Sequence, residues 1–214
     1  LIAKSGNSGS SGGPHVHFEV RETGAQIPEN PLNYGFKVRD QRHPELKKLW
    51  VYSHSVHGHV DGLLDEKGFN LSGTSGNYST VDTIRAFGPI SFGVAAQDRF
   101  SSSDNVCGIY SMTVKVNGEI LHQQQIDKFP FDKKRMVTCH VDYEKRVSEK
   151  QNVYRTYIAP ENSLKLYPTI KNGGVTGIEK GKTYQVDVEV TDHAGNTSKF
   201  SFVVLGRERK GSAV

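Results

Sequence analysis

Four stretches of the chain alternate apolar and polar residues with a period of two, as strands with one buried face do. The remaining apolar runs are short and are separated by Gly, Asn and Asp, which favours turns over long helices. The pattern therefore predicts an all-β protein. The four stretches are FGVAAQD at 92–98, YSMTVKVNGEIL at 110–121, YQVDVEVTD at 184–192 and KFSFVVL at 199–205.

Two turns are predicted to join these strands into hairpins. Asn117 and Gly118 lie between two alternating runs, and Asn-Gly is the strongest short signal for a β-hairpin. The segment DHAGN at 192–196 separates two further strands, because Asp and Asn bond their own backbone and glycine accepts a positive φ. Other carboxylates do not cluster beside Asp192 in the sequence, which therefore gives little support to a calcium role there.

The chain divides into three parts. Residues 1–36 hold a Gly/Ser loop, a strand-like run and a turn-rich exit, and residues 37–47 indicate a charged linker. Residues 48–214 are predicted to form one β-sandwich with an insertion near 127–175, which has a short helix around 141–150. Aromatic residues at alternate strand positions are expected in the core rather than in a sugar-stacking platform; they are Trp50, Tyr52, Tyr154, Tyr157 and Tyr167.

Composition narrows the classes of function. The 214 residues carry 27 Lys and Arg against 23 Asp and Glu, and these charges are spread along the chain, which argues against a nucleic-acid partner. No apolar run approaches the ~18 residues of a membrane span, so none is predicted in this chain. Cys107 and Cys139 could form one disulfide or remain buried thiols, and the sequence leaves both open.

The run HVHFEV at 15–20 carries the candidate chemistry. In an extended strand alternate side chains point to opposite faces, so His15, His17 and Glu19 share one face. The two imidazoles are then roughly 6.5 to 7 Å apart, close enough to reach one small site. The opposite face is apolar and is expected to be buried; it consists of Val16, Phe18 and Val20.

Two imidazoles at this spacing suit a metal site. Neutral imidazole is a preferred zinc ligand, and catalytic zinc keeps three protein ligands and a water. One histidine could therefore bind the metal while its neighbour assists the attacking water. From the His-x-His pattern alone, two surface histidines on an edge strand are the simpler interpretation.

The surroundings of the pair are more specific. A Gly-rich loop and Gly-Pro precede His-x-His-Phe-Glu-Val-Arg, and a Gly turn and Asn-Pro-Leu follow it. This segment resembles the end of the catalytic domain of lysostaphin/LytM-type zinc metallopeptidases, which cut peptide bonds in peptidoglycan. The resemblance covers about the first 36 residues. The matching residues are Gly9, Gly13, Pro14, His15, His17, Phe18, Glu19, Asn30, Pro31 and Leu32.

The resemblance implies that His17 is a zinc ligand and that His15 is the catalytic histidine, which assists the water or stabilises the oxyanion. It also implies zinc as cofactor, peptidoglycan peptides as substrate and an extracytoplasmic location in the bacterial periplasm or cell envelope. The family's other two zinc ligands, a histidine and an aspartate, lie upstream of His-x-His, and residues 1–14 contain neither. The missing N-terminal part of the same protein is then an expected partner, and this chain should not hold zinc tightly. Residues 10–22 are expected to form a strand whose apolar face, Val16, Phe18 and Val20, lacks most of the neighbours that would cover it in a complete domain.

Two other metal patterns stay open. His57 and Asp61 have the His-x-x-x-Asp spacing, although they follow the His-x-His pair instead of preceding it. The first part of the first cupin motif is also matched, but Glu29 stands where its closing glycine should be, and no later segment supplies the second cupin motif with its own histidine. The residues that match the first motif are Gly9, His15, His17 and Glu22.

The remainder of the chain suggests an accessory module. The stretches at 108–121 and 181–204 are similar to bacterial immunoglobulin-like or fibronectin-like modules, which act as spacers or binding modules on extracellular enzymes. We therefore expect the C-terminal part of an exported zinc metalloendopeptidase, inactive alone, whose immunoglobulin-like sandwich has an accessory or positioning role. The alternative is a non-catalytic cell-envelope binding or scaffold protein with a degenerate peptidase domain.

Overall fold

The computed structural model describes residues 4–7, 9 and 12–209. Strands make up 43% of the structure and helices 11%, which confirms the predicted all-β class. In the described ranges the strands are β1 (Val20–Arg21), β2 (Pro28–Glu29), β3 (Glu45–Ser53), β4 (His59–Val60), β5 (Glu66–Asn70), β6 (Ser72–Thr74), β7 (Asn77–Ser79), β8 (Thr83–Gln97), β9 (Ser111–Val116), β10 (Glu119–Gln125), β11 (Val153–Arg155), β12 (Thr169–Ile170), β13 (Thr176–Ile178), β14 (Thr183–Thr191) and β15 (Thr197–Gly206). The helices are α1 (Val137–His140) and α2 (Tyr143–Ser148), with short 3-10 turns at Pro31–Tyr34, Phe131–Met136 and Asn172–Gly174.

The long strand β8 joins the two layers of the fold. Its first part pairs in parallel with β15, and its second part pairs antiparallel with β3, β11 and β13. Between the two parts Gly88 has a φ of 81°, a conformation that side chains disfavour, and Pro89 follows it. The strand bends there and passes from one layer, β12-β10-β9-β14-β15-β8, to the other, β8-β3-β5.

The space between the layers holds one apolar core. The alternating strands place every second side chain in it, so that Val186, Val188 and Val190 of β14 are all buried. Phe92 of one layer meets Phe202 of the other edge to face, with ring centroids 5.7 Å apart. The period of two in the sequence therefore marks the inward face of these strands.

Both predicted hairpin turns are confirmed. Asn117 and Gly118 have φ values of 51° and 82°, as the two central residues of a type I′ turn must, and they join β9 to β10. Between β14 and β15, Gly195 has a φ of 92°. There the Asp192 carboxylate accepts hydrogen bonds from the backbone and side chain of Asn196, at 2.9 and 2.7 Å.

The insertion at 127–175 adds β11 and β12 to the two layers, and its helix α2 packs against Trp50 on the outer face of the β3 layer. Its predicted short helix is confirmed as α2, and Asp142 caps that helix while accepting a hydrogen bond from the Tyr52 hydroxyl at 2.9 Å. The Lys145 ammonium lies 4.1 Å from the ring centroid of Trp50. Trp50 and Tyr52 are buried, so they are core residues, as expected, rather than an exposed platform.

Two details of the chain's organisation are settled by the structure. Strand β3 begins at Glu45, inside the segment 37–47 that the sequence indicates as a linker. Cys107 and Cys139, for which the sequence left a disulfide open, are both free thiols. The sandwich is therefore held together without a cross-link between these two residues.

The segment around the histidine pair differs from its prediction. Where the structure describes this segment, its pairing consists of β1 with β2, a bridge between Gly6 and His15, and a bridge between Glu29 and Lys128. Of the residues expected to form a strand at 10–22, the described ones do so only at Val20–Arg21. Val16 and Phe18 are 53% and 54% exposed, while Val20 is half-buried. Among the described residues no strand lies beside 16–19, so the apolar face lacks neighbours, as expected.

The exit of this segment is anchored to the sandwich. The Asn30 N–H donates to the Asp127 carbonyl at 2.7 Å, and the Phe129 N–H donates to the Pro28 carbonyl at 3.0 Å. We call residues 127–129 the docking strip. These bonds fix the chain just before the segment that leads into β3.

A buried polar cluster lies between β10 and the insertion. His122 Nε2 is 3.2 Å from Gln124 Oε1, and His140 Nδ1 is 3.1 Å from the Tyr167 hydroxyl. Burial lowers the pKa of His122 to about 4, and burial together with the neighbouring His122 lowers the pKa of His140 to about 4. Both imidazoles are therefore neutral in the folded protein at neutral pH.

We expect acid to destabilise the fold through these two histidines. The unfolded chain protonates a histidine near 6.5 and the folded chain protonates these near 4, so between those values the unfolded state binds more protons. The free energy of unfolding should therefore fall as the pH drops through this window, by up to about 3 kcal/mol per histidine. Urea denaturation across the window measures it.

His140→Asn keeps a polar group near the Nδ1 position but does not titrate, so it should flatten the pH dependence. His57→Gln, at an exposed histidine, should leave the dependence unchanged. A His140→Asn variant with the full wild-type dependence would contradict a buried, neutral imidazole.

Candidate functional site

His15 lies where the Gly/Ser loop closes. Its backbone N–H donates to the Gly6 carbonyl at 3.0 Å, and the Gly6 N–H donates back at 3.4 Å. Its side-chain Nδ1 donates to the Gly13 carbonyl at 2.9 Å. A carbonyl can only accept, so this bond favours the tautomer with the proton on Nδ1 and the lone pair on Nε2.

His17 is held by a carboxylate two residues along the chain. Its Nε2 lies 2.6 Å from Glu19 Oε1, and Arg21 binds the other oxygen of the same carboxylate. Hydrogen bonds from His17, and then from Arg21, lower the pKa of Glu19, which stays ionised. Histidines that bind metals commonly donate their second ring nitrogen to a carboxylate, so Nδ1 is the atom that a metal would meet.

The residues described here do not complete a zinc site at His17. A catalytic zinc needs three protein ligands, and His17 supplies one. Across the described part of the chain, groups of at least three His, Cys, Asp or Glu with ligand atoms close enough for one ion include neither His15 nor His17. Tight zinc binding at His17 would therefore require ligands from outside these residues.

The two other metal patterns are not assembled. The exposed His57 lies in a turn, whereas the Asp61 carboxylate accepts a hydrogen bond from the Arg85 N–H at 2.8 Å and pairs with Lys67 at 3.0 Å. Asp61 therefore stabilises the start of β8. Glu22, the acidic residue of the partial cupin match, lies 3.8 Å from Lys128 of the docking strip.

Three aspartates that the sequence analysis did not group come together at one end of the sandwich. Asp40 lies in the segment before β3, Asp98 directly follows β8, and Asp192 directly follows β14. Each offers an oxygen within 4.8 Å of those of the other two. The strand ends meet there because Glu45 of β3 pairs with Gln97 of β8. We call these three residues the aspartate triad.

Two oxygens of the aspartate triad are buried without a hydrogen-bond partner. Asp40 Oδ1 accepts hydrogen bonds from the Arg42 N–H and from Ser101, but Asp40 Oδ2 has no partner among the described residues. Asp98 is 5% exposed, and its Oδ1 likewise has none. Asp192, by contrast, is satisfied by its own turn.

The charges of the triad are not balanced by cationic side chains. Burial, and then the charges of Asp192 and Asp40, raise the pKa of Asp98 to about 6, which still leaves it mostly ionised at neutral pH. The nearby arginines are engaged elsewhere: Arg42 pairs with Asp104 at 3.4 Å and Arg99 with Glu45 at 3.7 Å. Within the described ranges, no ion pair reaches any triad residue.

Sequence reasoning found one member of the triad and assigned it to a turn. Asp98 and Asp192 are each the last residue of an alternating stretch, and this common position was the available signal. Asp40 had no such signal, because it lies in a charged segment without periodicity. Its approach to the other two depends on where that segment crosses the end of the sandwich.

Comparisons with known proteins assign no family. No family model, no curated protein and no solved structure shows a significant match to this chain. Among the described residues, no helix has both the length and the apolar character needed to cross a membrane.

We expect Asp61 to contribute to the stability of the fold and not to zinc binding. Asp61→Ala removes the acceptor of the Arg85 N–H and the partner of Lys67, which should lower the free energy of unfolding by about 1 kcal/mol. His57→Ala should leave stability unchanged, since His57 is exposed. Urea denaturation and zinc titration of both variants test this, and weaker zinc binding in both would instead revive a His57–Asp61 metal site.

Proposed function

We propose that the first part of this chain belongs to the active site of a zinc metalloendopeptidase of the lysostaphin/LytM type, acting on peptidoglycan peptides outside the cytoplasm. The observation that carries the proposal is the His17–Glu19 pair, an imidazole oriented by an ionised carboxylate at 2.6 Å. This arrangement is typical of a metal-binding histidine with its supporting carboxylate. The remaining ligands would come from outside the described residues.

The roles of the two histidines follow from their hydrogen bonds. His17 would bind zinc through Nδ1, because Glu19 occupies Nε2. A bound zinc supplies a water whose pKa is lowered toward ~7. His15 would keep its proton on Nδ1, which donates to the Gly13 carbonyl, so Nε2 is the ring nitrogen that would act as a general base.

The exposed apolar face of this segment supports the proposal. Val16 and Phe18 are each more than half exposed, although they alternate with the histidines as buried strand residues would. Phe18 packs against the ring of Phe36, with centroids 4.8 Å apart. The rest of a catalytic domain would bury this face and hold the histidines rigidly, which catalysis requires.

The sandwich would act as an accessory module that positions the histidine-bearing segment. Its docking strip holds Pro28 and Asn30 by backbone hydrogen bonds. A second contact comes from His193, whose Nε2 lies 2.7 Å from Asn33 Oδ1. These two contacts would hold residues 28–33 against the sandwich, so that the sandwich positions the histidine-bearing segment. An immunoglobulin-like assignment of the sandwich is part of this proposal.

The test uses the full-length gene product that carries this sequence, assayed for zinc content and for hydrolysis of purified peptidoglycan. His17→Ala should remove both bound zinc and hydrolysis. His15→Ala should retain zinc and lose hydrolysis by about 10² to 10⁴-fold, the usual contribution of an acid–base residue. This split between the two neighbours distinguishes a ligand from a catalytic histidine.

His57→Ala is the matched control, because it removes an exposed imidazole elsewhere and should change neither property. A full-length product that binds no zinc and cleaves no peptidoglycan would overturn the proposal. That outcome would favour a binding or scaffold protein in which the histidine pair has no metal.

A further inference from the structure

We infer that Asp40, Asp98 and Asp192 form a calcium site that fastens the segment before β3 to the end of the sandwich. The three carboxylates converge from separate parts of the chain, with oxygens within 4.8 Å of one another. This inference is independent of the zinc peptidase proposed above.

Without a cation, the three carboxylates are in an unfavourable arrangement. A carboxylate removed from water is strongly unfavourable unless it is paired or hydrogen-bonded. Asp98 is 5% exposed, yet its Oδ1 has no hydrogen-bond partner, and Asp40 Oδ2 is in the same position. With Asp192 close by, the site gathers negative charge where a cation would relieve the repulsion and complete the missing contacts.

The donor atoms of the aspartate triad suit a hard cation. All three side chains of the triad offer oxygen, with neither nitrogen nor sulfur, which suits calcium or magnesium rather than zinc. Magnesium demands near-ideal octahedral geometry, whereas calcium accepts six to eight oxygens in flexible geometry. Ligands from a connecting segment and two strand ends form an irregular set, which favours calcium with waters completing its shell.

Asp40 lies where a bound cation would fix the segment before β3. It lies between the anchored segment at 28–33 and strand β3, in a stretch that has no regular strand of its own. Asp40 already binds Ser101 through Oδ1, which leaves Oδ2 as the oxygen without a hydrogen-bond partner among the described residues. A cation held by Asp40 together with the two strand-end aspartates would fix this connection against the sandwich.

The experiment titrates calcium chloride into the chelator-treated 214-residue chain and follows heat of binding and thermal unfolding. One calcium should bind, and at a hundredfold excess over Kd the Tm should rise by roughly 5 to 10 °C. Magnesium at the same concentration should give a smaller rise. An equal response to magnesium would overturn the assignment to calcium.

Asp98→Asn is the decisive variant, because it keeps the shape and removes one charge. Calcium affinity should fall at least tenfold, while the Tm without calcium should stay the same or rise as repulsion is relieved. Loss of calcium affinity without a lower Tm in the absence of calcium distinguishes a cation site from simple damage to the fold. If this variant does not fold, Asp40→Asn, at a half-buried position, replaces it and should show the same loss.

Two matched controls complete the design. Asp104→Asn removes an exposed carboxylate near the site and should bind calcium as the wild type does. His17→Ala should also keep the calcium response, so failure of the zinc proposal and failure of this one are distinguishable. A wild-type chain that calcium does not stabilise, or an Asp98→Asn chain stabilised equally, overturns the calcium site.

Discussion

The fold depends on one strand that must satisfy its backbone hydrogen bonds in two layers. Strand β8 pairs with β15 and β4 before the bend at Gly88 and with β3, β11 and β13 after it. A straight strand could serve one layer, so the positive φ of Gly88 is what allows a single core to form between both. Phe92, beyond the bend, meets Phe202 across that core and sets the spacing of the layers.

The sandwich contains two kinds of buried titratable group. The imidazoles of His122 and His140 are kept neutral by burial, which makes acid unfavourable. The aspartate triad instead brings three carboxylates together, with oxygens within 4.8 Å of one another, where two strand ends and a connecting segment meet. The first kind restricts the conditions under which the fold is stable, and the second makes its stability depend on a ligand.

The sequence predicted strands and turns, which depend on local residues, and missed features that depend on contacts between residues distant along the chain. Alternation placed β9, β14 and β15 correctly, and Asn117-Gly118 identified its hairpin, because both signals act within a few residues. Alternation also grouped Val16 with Phe18 on one face, but periodicity states which residues share a face and not whether anything covers it.

The candidate sites illustrate the same division. The His15 and His17 pair was visible as a motif, and even its supporting Glu19 lies two residues away. The aspartate triad joins residues far apart along the chain, so no window of sequence contains it. Its assembly depends on the pairing of β3 with β8 and on the course of the segment that carries Asp40, which are properties of the tertiary structure.

The docking strip has a consequence for modular exchange. It belongs to the same insertion that covers Trp50 and caps α2 with Asp142, so one stretch of chain both shields the sheet and holds the histidine-bearing segment. A graft of the sandwich onto another protein would therefore have to begin before Pro28. A cut within 37–47 would remove the hydrogen-bond partners of the docking strip. The unit that can be inherited or transplanted is larger than the β-sandwich alone.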